Sequence, residues 1–177
     1  MRIEVDRLES EGETYAHTYG PDELSLNDEH AYLLPGAKIE GSAERKGSKV
    51  RLRGKISARV EAPCDRCAQL LVVPIEVEFD APYMPAEVLN EATEEEGVEL
   101  AAPDLDLSFY PDDSIDIDEL MREQVLLALP TRLLCREDCR GLCVVCGADL
   151  NTEPCGCGRE EVDPRWAGLA ALKSKQQ

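Results

Sequence analysis

Val50-Arg-Leu-Arg-Gly-Lys-Ile-Ser-Ala-Arg-Val60 and Leu71-Val-Val-Pro-Ile-Glu-Val-Glu-Phe-Asp80, with Cys64-Asp-Arg-Cys67 between them, decide the fold of this chain of 177 residues. In the first run Val50, Leu52, Ile56, Ala58 and Val60 fall on one face and Arg51, Arg53, Lys55, Ser57 and Arg59 on the other. A period of two marks a strand with one side against a core. The second run repeats it, with Leu71, Val73, Ile75, Val77 and Phe79 inward and Glu76, Glu78 and Asp80 outward. Centring the reversal on Cys64–Cys67 sets Leu52 opposite Phe79, Ile56 opposite Ile75 and Val60 opposite Leu71. The same register opposes Arg51 to Asp80, Arg53 to Glu78 and Lys55 to Glu76, so one alignment satisfies both faces.

Working outward, Ala37 to Glu44 reads as a preceding strand, joined through a turn at Arg45–Ser48, with Ile39, Gly41 and Ala43 on the inner side. Within residues 1–36 only Ile3, Val5 and Leu8 suggest a further strand. Downstream, Asp116-Ile-Asp-Glu119 has capping-box spacing, and Ile117, Leu120, Met121, Val125 and Ala128 form a helical apolar face that stops before Pro130. This predicts a helix over 116–129. Asp163-Pro164 predicts the start of a second, short helix carrying Trp166, Leu169 and Ala170. The expected fold class is α+β: an antiparallel β-meander or small open barrel, a packed helix and a cysteine-rich tail. The expected division is an α+β domain over 1–130 and a cysteine-rich, zinc-binding tail with its short helix over 131–177.

Eight cysteines occur as Cys64/Cys67, Cys135/Cys139, Cys143/Cys146 and Cys155/Cys157. A C-x2-C turn lets two thiolates face one cation from a single bend, and Gly147 after Cys146 supplies the permissive backbone such a bend needs. Zn²⁺ suits four thiolates best, since it binds them tetrahedrally. Two ions are expected, one on Cys64, Cys67, Cys135 and Cys139, the other on Cys143, Cys146, Cys155 and Cys157. A competing arrangement places one zinc on four of the six C-terminal cysteines and leaves Cys64 and Cys67 as a metal-free turn. Free structural thiols, an iron–sulfur cluster and disulfides are the other readings of the same count. Disulfides are disfavoured because the charged start, Met1 to Ser10, has no apolar h-region, and no stretch reaches the length of a membrane span. The expectation is a cytoplasmic protein with reduced thiols.

The net charge is −18 and unevenly spread. Residues 67–121 hold no Lys or Arg, and about 84–112 reads as a flexible acidic loop, either a solubilising linker or an arm for a basic partner. Basic residues concentrate instead at Arg45, Lys46, Lys49, Arg51, Arg53, Lys55 and Arg59. That strand face is the candidate nucleic-acid contact, unless cross-strand carboxylates neutralise it. Catalysis has little support. His17 and His30 have no nucleophile nearby in sequence, all-cysteine metal sites are structural as a rule, and no small-molecule site is indicated.

Three stretches taken together resemble one known family. They are Cys64-Asp-Arg-Cys67 at a strand end, Ile115 through Pro130, and Cys135 through Asn151 with Cys155-Gly-Cys157, followed by Asp163 through Lys173. The combination is similar to the YceD family, also called the domain-of-unknown-function 177 family, over about residues 35–173. The resemblance implies a metal-binding, non-enzymatic factor in the accumulation of large-subunit (23S) ribosomal RNA, hence in ribosome assembly, with ribosomal RNA or a large-subunit ribosomal protein as partner. An alternative is an acidic escort for a basic ribosomal protein that never touches RNA. A metal-dependent nuclease is disfavoured, for want of a base and an open ligand position.

Overall fold

The structure, a computed structural model, describes residues 1–8, 12–87, 107–157 and 165. Its strands are β1 (Arg2–Glu4), β2 (Glu13–Thr18), β3 (Tyr32–Leu33), β4 (Lys38–Lys46), β5 (Lys49–Pro63), β6 (Leu70–Pro85), β7 (Ser108–Tyr110) and β8 (Ser114–Asp116). One helix, α1, spans Ile117–Ala128. β2, β4, β5, β6 and β7 form one sheet in that order, β3 pairs with the end of β5, and β1 pairs with β8 in a small second sheet. Among the described residues the protein is mostly sheet, with helix α1 packed on it, an α+β arrangement.

The alternation read from β5 and β6 is observed side for side. Val50, Leu52, Ile56, Val60, Ile75 and Phe79 are buried, while Arg51, Arg53, Lys55, Glu76, Glu78 and Asp80 are exposed. The facing partners differ from the expected ones by two residues: Leu52 faces Ala81, Ile56 faces Val77 and Val60 faces Val73. The turn is the cause. Cys64 N–H donates to the Gln69 carbonyl at 2.8 Å and Ala68 N–H donates to the Cys64 carbonyl at 2.9 Å. The reversal thus takes in Ala68 as well as the cysteines and closes on Gln69, which moves its centre toward the second strand. An even displacement leaves every side chain on its own face, so the pattern by itself does not distinguish the two registers.

Helix α1 forms where the capping box places it. The Asp116 side chain accepts from the N–H groups of Asp118 at 2.9 Å and Glu119 at 3.4 Å, satisfying donors that the first turn leaves unpaired. Ile117, Leu120, Met121 and Val125 are buried against the sheet and join the core made by Ile39, Ala43, Val50, Leu52, Ile56, Val60 and Phe79.

Three further expectations are corrected or relocated. Ile3 alone of the N-terminal apolar trio lies in a strand, since Val5 begins a 3-10 turn, and β2 and β3 were not anticipated. β3 has two residues and β2 buries only Tyr15, too little for a period to be visible. The ends of the expected acidic loop are strand: Met84 and Pro85 finish β6, and β7 runs parallel to them with Tyr110 buried. Residues 88–106 of that loop, and the expected helix after Asp163 apart from Arg165, lie outside the described residues.

Candidate metal centres

Two C-x2-C turns close with the same hydrogen bonds. In the second, Cys143 N–H donates to the Ala148 carbonyl and Gly147 N–H to the Cys143 carbonyl, both at 2.8 Å, repeating the Cys64–Gln69 pattern of the first. The residue after the second cysteine is left-handed in both: Gly147 at φ 75° and Ala68 at φ 58°. Glycine accepts that conformation freely, whereas a Cβ makes it cost about 1–2 kcal/mol. Only the second turn is therefore free of this strain.

The turns deliver their sulfurs to two separate groups. Cys64, Cys67, Cys135 and Cys139 bring four Sγ atoms within 4.8 Å of one another, and so do Cys143, Cys146, Cys155 and Cys157. In the first tetrad Cys64 and Cys139 lie 3.9 Å apart and Cys67 and Cys135 lie 3.6 Å apart, with all eight cysteines unbridged. The first group is mostly buried, with Cys64 and Cys139 each 2% exposed; in the second, Cys146 is open to solvent. Both tetrads could hold a metal ion.

Residues between the ligands dock the tail onto the sheet. Asp65 N–H donates to the Leu133 carbonyl at 2.8 Å, and Leu133 N–H donates back to the Asp65 carboxylate at 2.6 Å. The Arg66 guanidinium donates to the Cys139 carbonyl at 2.6 Å, and the Arg66 carbonyl accepts from Leu142 N–H at 3.0 Å. Gly141, at φ 75°, passes so close that a Cβ there would sit 2.8 Å from the Arg66 carbonyl oxygen. Sequence reasoning assigned no role to Asp65, Arg66, Gly141 or Asn151. Their only signal was position, inside or just beside a ligand pair.

Electrostatics prepares each tetrad for a cation. Burial works against ionising Cys64, but N–H groups of Arg66, Cys135 and Cys67 aimed at its sulfur outweigh it and lower the thiol to about 6. Cys143 is also lowered to about 6, by N–H groups of Cys146 and Val145. Cys135 is pushed up to about 12 by burial and by neighbouring thiols, and Cys157 to about 12 by its hydrogen bond with Cys146 and by burial. One thiolate thus forms readily in each group and discourages the next. A divalent ion held there would displace the remaining protons, so its hold would weaken as pH falls.

The basic strand residues are mostly engaged. Arg51 and Arg53 share Asp80, Lys55 pairs with Glu40 at 2.8 Å, Arg45 donates to the Val5 carbonyl at 2.9 Å and lies 3.7 Å from Asp6, and Lys46 stands 4.0 Å from Glu44. Among the described residues no carboxylate lies within ion-pair distance of Lys49 or Arg59. Arg51 meets Asp80 diagonally, since the register places Arg53 opposite it; the anticipated pairs Arg53–Glu78 and Lys55–Glu76 give way to Asp80 and Glu40. Of the two histidines, His17 binds Glu23 at 2.6 Å and packs edge-on to Tyr19, while His30 is exposed.

Among the described residues, no helix is long and apolar enough to cross a membrane. The segment from β5 to the tail, residues 52–173, matches the family model described as "Large ribosomal RNA subunit accumulation protein YceD". An uncharacterized protein of Mycobacterium tuberculosis is 31% identical over 151 residues, 85% of this chain and 66% of its own length. The Arabidopsis thaliana "Large ribosomal RNA subunit accumulation protein YCED homolog 1, chloroplastic" is 29% identical over 162 residues, 80% of this chain and 50% of its own length. The uncharacterized protein YlbN of Bacillus subtilis is 26% identical over 148 residues, 83% of this chain and 79% of its own length. The chain thus spans about half to two thirds of the mycobacterial and plant relatives it matches. No solved structure matches. With the cysteine turns, the capped helix and the tail all inside the matched segment, the chain belongs to the YceD family.

Proposed function

We propose that this protein is a non-enzymatic, zinc-binding factor that supports accumulation of large-subunit ribosomal RNA and ribosome assembly in the cytoplasm. The observation that carries the reading is the pair of all-thiolate tetrads inside the family-matched segment. A tetrahedral zinc with Zn–S bonds of about 2.3 Å sets its sulfurs about 3.8 Å apart. The 3.6 and 3.9 Å separations of two sulfur pairs in the first tetrad are close to that spacing. Cys64, Cys67, Cys135 and Cys139 would hold one ion, and Cys143, Cys146, Cys155 and Cys157 the other. Bound there, zinc supplies cross-linking rather than reaction chemistry, since four protein ligands leave no position for substrate.

Ribosomal RNA and a large-subunit ribosomal protein are the two partners in question. The ion pairs on the strand face favour the protein partner, because Asp80 and Glu40 already occupy cations that RNA phosphates would need. Lys46 and Lys49 at the β4–β5 turn, with Arg59, remain the RNA-facing alternative. With the protein partner, the acidic stretch 88–106 would serve as an escort's arm for a basic surface. The test measures salt-dependent binding of the full chain to 23S ribosomal RNA fragments and to isolated basic large-subunit proteins. A neutral linker in place of 88–106 should weaken binding to the protein and leave RNA affinity low. Tight RNA binding that is lost on changing Lys46, Lys49 and Arg59 to Glu would overturn the escort reading in favour of direct RNA contact.

A further inference from the structure

Asn151 stands in sequence between ligands of the second tetrad, after Cys146 and before Cys155, yet its side chain reaches the first. Its Nδ2 donates to the Cys139 Sγ at 3.5 Å and to the Asp149 carboxylate at 2.7 Å. Its Oδ1 accepts from the Arg140 N–H and the Arg136 guanidinium, both at 2.8 Å. Arg136 follows Cys135 and Arg140 follows Cys139, so each is the next residue after a cysteine of the first tetrad's C-x3-C loop. The carboxamide therefore holds that loop by both of its ends, one on the backbone and one on the ligand sulfur.

What places Asn151 there is the closure of the second loop. Leu150 N–H donates to the Gly141 carbonyl at 2.9 Å, Cys143 N–H to the Ala148 carbonyl at 2.8 Å, and Thr152 N–H to the Asp149 carbonyl at 3.1 Å. These bonds turn the chain from Cys146 back toward Cys155 and Cys157, and residues 149–153 contribute no buried side chain to hold themselves in place. A cation gathering Cys143, Cys146, Cys155 and Cys157 ties both ends of this turn.

We propose that Asn151 is a positioning residue coupling the two metal centres: an ion in the second tetrad orders the 149–153 turn, and the Asn151 amide then stabilises the Cys139 thiolate of the first. A divalent ion on four thiolates leaves the group at −2, and an N–H donor to sulfur spreads that charge. Outer partners of metal ligands change affinity by about 10–100-fold when removed. Coupling of this kind is reciprocal, so an ion in the first centre strengthens binding in the second by the same factor. The inference rests on reading both tetrads as metal sites.

Cadmium NMR on the full chain resolves the two centres, with C64S/C67S and C155S/C157S assigning each resonance. Site-by-site retention is then read from resonance intensity during chelator competition. N151A should shift the first centre's resonance and weaken its retention about 10–100-fold. N151D keeps the acceptor for Arg136 and Arg140 but replaces the donor with a carboxylate beside Asp149 and Cys139; it should be at least as damaging as N151A. C155S/C157S should weaken the first centre by a similar factor, and adding N151A to it should weaken it no further. Unchanged first-centre retention in N151A overturns the proposal. So does wild-type behaviour of N151D, which would make the residue a mere anchor for the arginines, and so do strictly additive effects. A wild-type chain with a single resonance would sink the two-centre reading and the coupling with it, whereas two resonances with an unmoved first centre would sink the coupling alone.

Discussion

Leu52, Ile56 and Val60 on β5 are fully buried, in a core that draws on nearly every strand and on α1, whereas between residues 131 and 157 the buried residues are Cys139, Gly141 and Cys143. Two regions of one chain thus depend on different physics. The sheet is stabilised by removing apolar side chains from water, an effect that needs no ligand. The segment after the helix packs little more than Leu134 and Cys135 around its buried sulfurs. It relies on hydrogen bonds to the first turn and on whatever the sulfurs bind. The first tetrad belongs to both regions, since Cys64 and Cys67 end the sheet's hairpin and Cys135 and Cys139 begin the tail.

The largest test of this contrast is metal removal. Structural zinc contributes about 10–16 kcal/mol in small zinc-finger peptides, more than the hydrogen bonds of such a segment supply. A strong chelator should collapse hydrogen-exchange protection over 135–157 while the amides of β5, β6 and α1 stay protected. Unchanged protection in the tail would show that its order does not come from metal. Cys146 is the exposed one of the eight cysteines, so under the two-zinc proposal the second centre should empty first.

Leu52→Ala tests the other side. Leu52 has no exposed surface, and a cavity there should cost about 2–5 kcal/mol in global stability by denaturant unfolding. Metal stoichiometry should stay the same. If both changed together, the sheet and the tail would be one cooperative unit. Asp65→Ala, a smaller change, should loosen the tail by about 1–3 kcal/mol because Leu133 N–H loses its charged acceptor. Local exchange near Leu133 should report it while the sheet is unaffected. The smallest effect has the opposite sign. Ala68→Gly should stabilise the first turn by about 1 kcal/mol, seen as a rise in melting temperature, because glycine removes the left-handed strain that Gly147 already avoids in the second.

What was legible in the chain follows from how local each signal is. The faces of β5 and β6 alternate within single strands, and the capping box of α1 spans four residues, so both could be read without a partner. The register between β5 and β6 could not, because it depended on Ala68 entering the turn, and two registers with the same faces look alike in a hydrophobic pattern. β2, β3 and β7 were missed because none of them buries more than one residue: Tyr15 in β2, Tyr110 in β7 and none in β3. The cysteine spacing carried the metal hypothesis, while the basic run from Arg45 to Arg59 did not reveal by itself which of its cations are paired. Asp80 and Glu40, distant in sequence, stand beside it in the sheet.

Composition and spacing by themselves determined that this protein has a two-faced sheet, a capped helix after Asp116 and enough paired cysteines for two thiolate sites, because each is written in residues close along the chain. The tertiary structure decided what those parts meet. It brought Cys64 and Cys67 to Cys135 and Cys139 across the sheet's end, and it set Asn151 of the second loop against the first tetrad's sulfur. It also placed carboxylates against the strand's cations. The reason is geometric: contacts between residues far apart in sequence depend on where a turn closes and how a tail docks, and a shift of two residues in either is invisible to local periodicity while changing every partner.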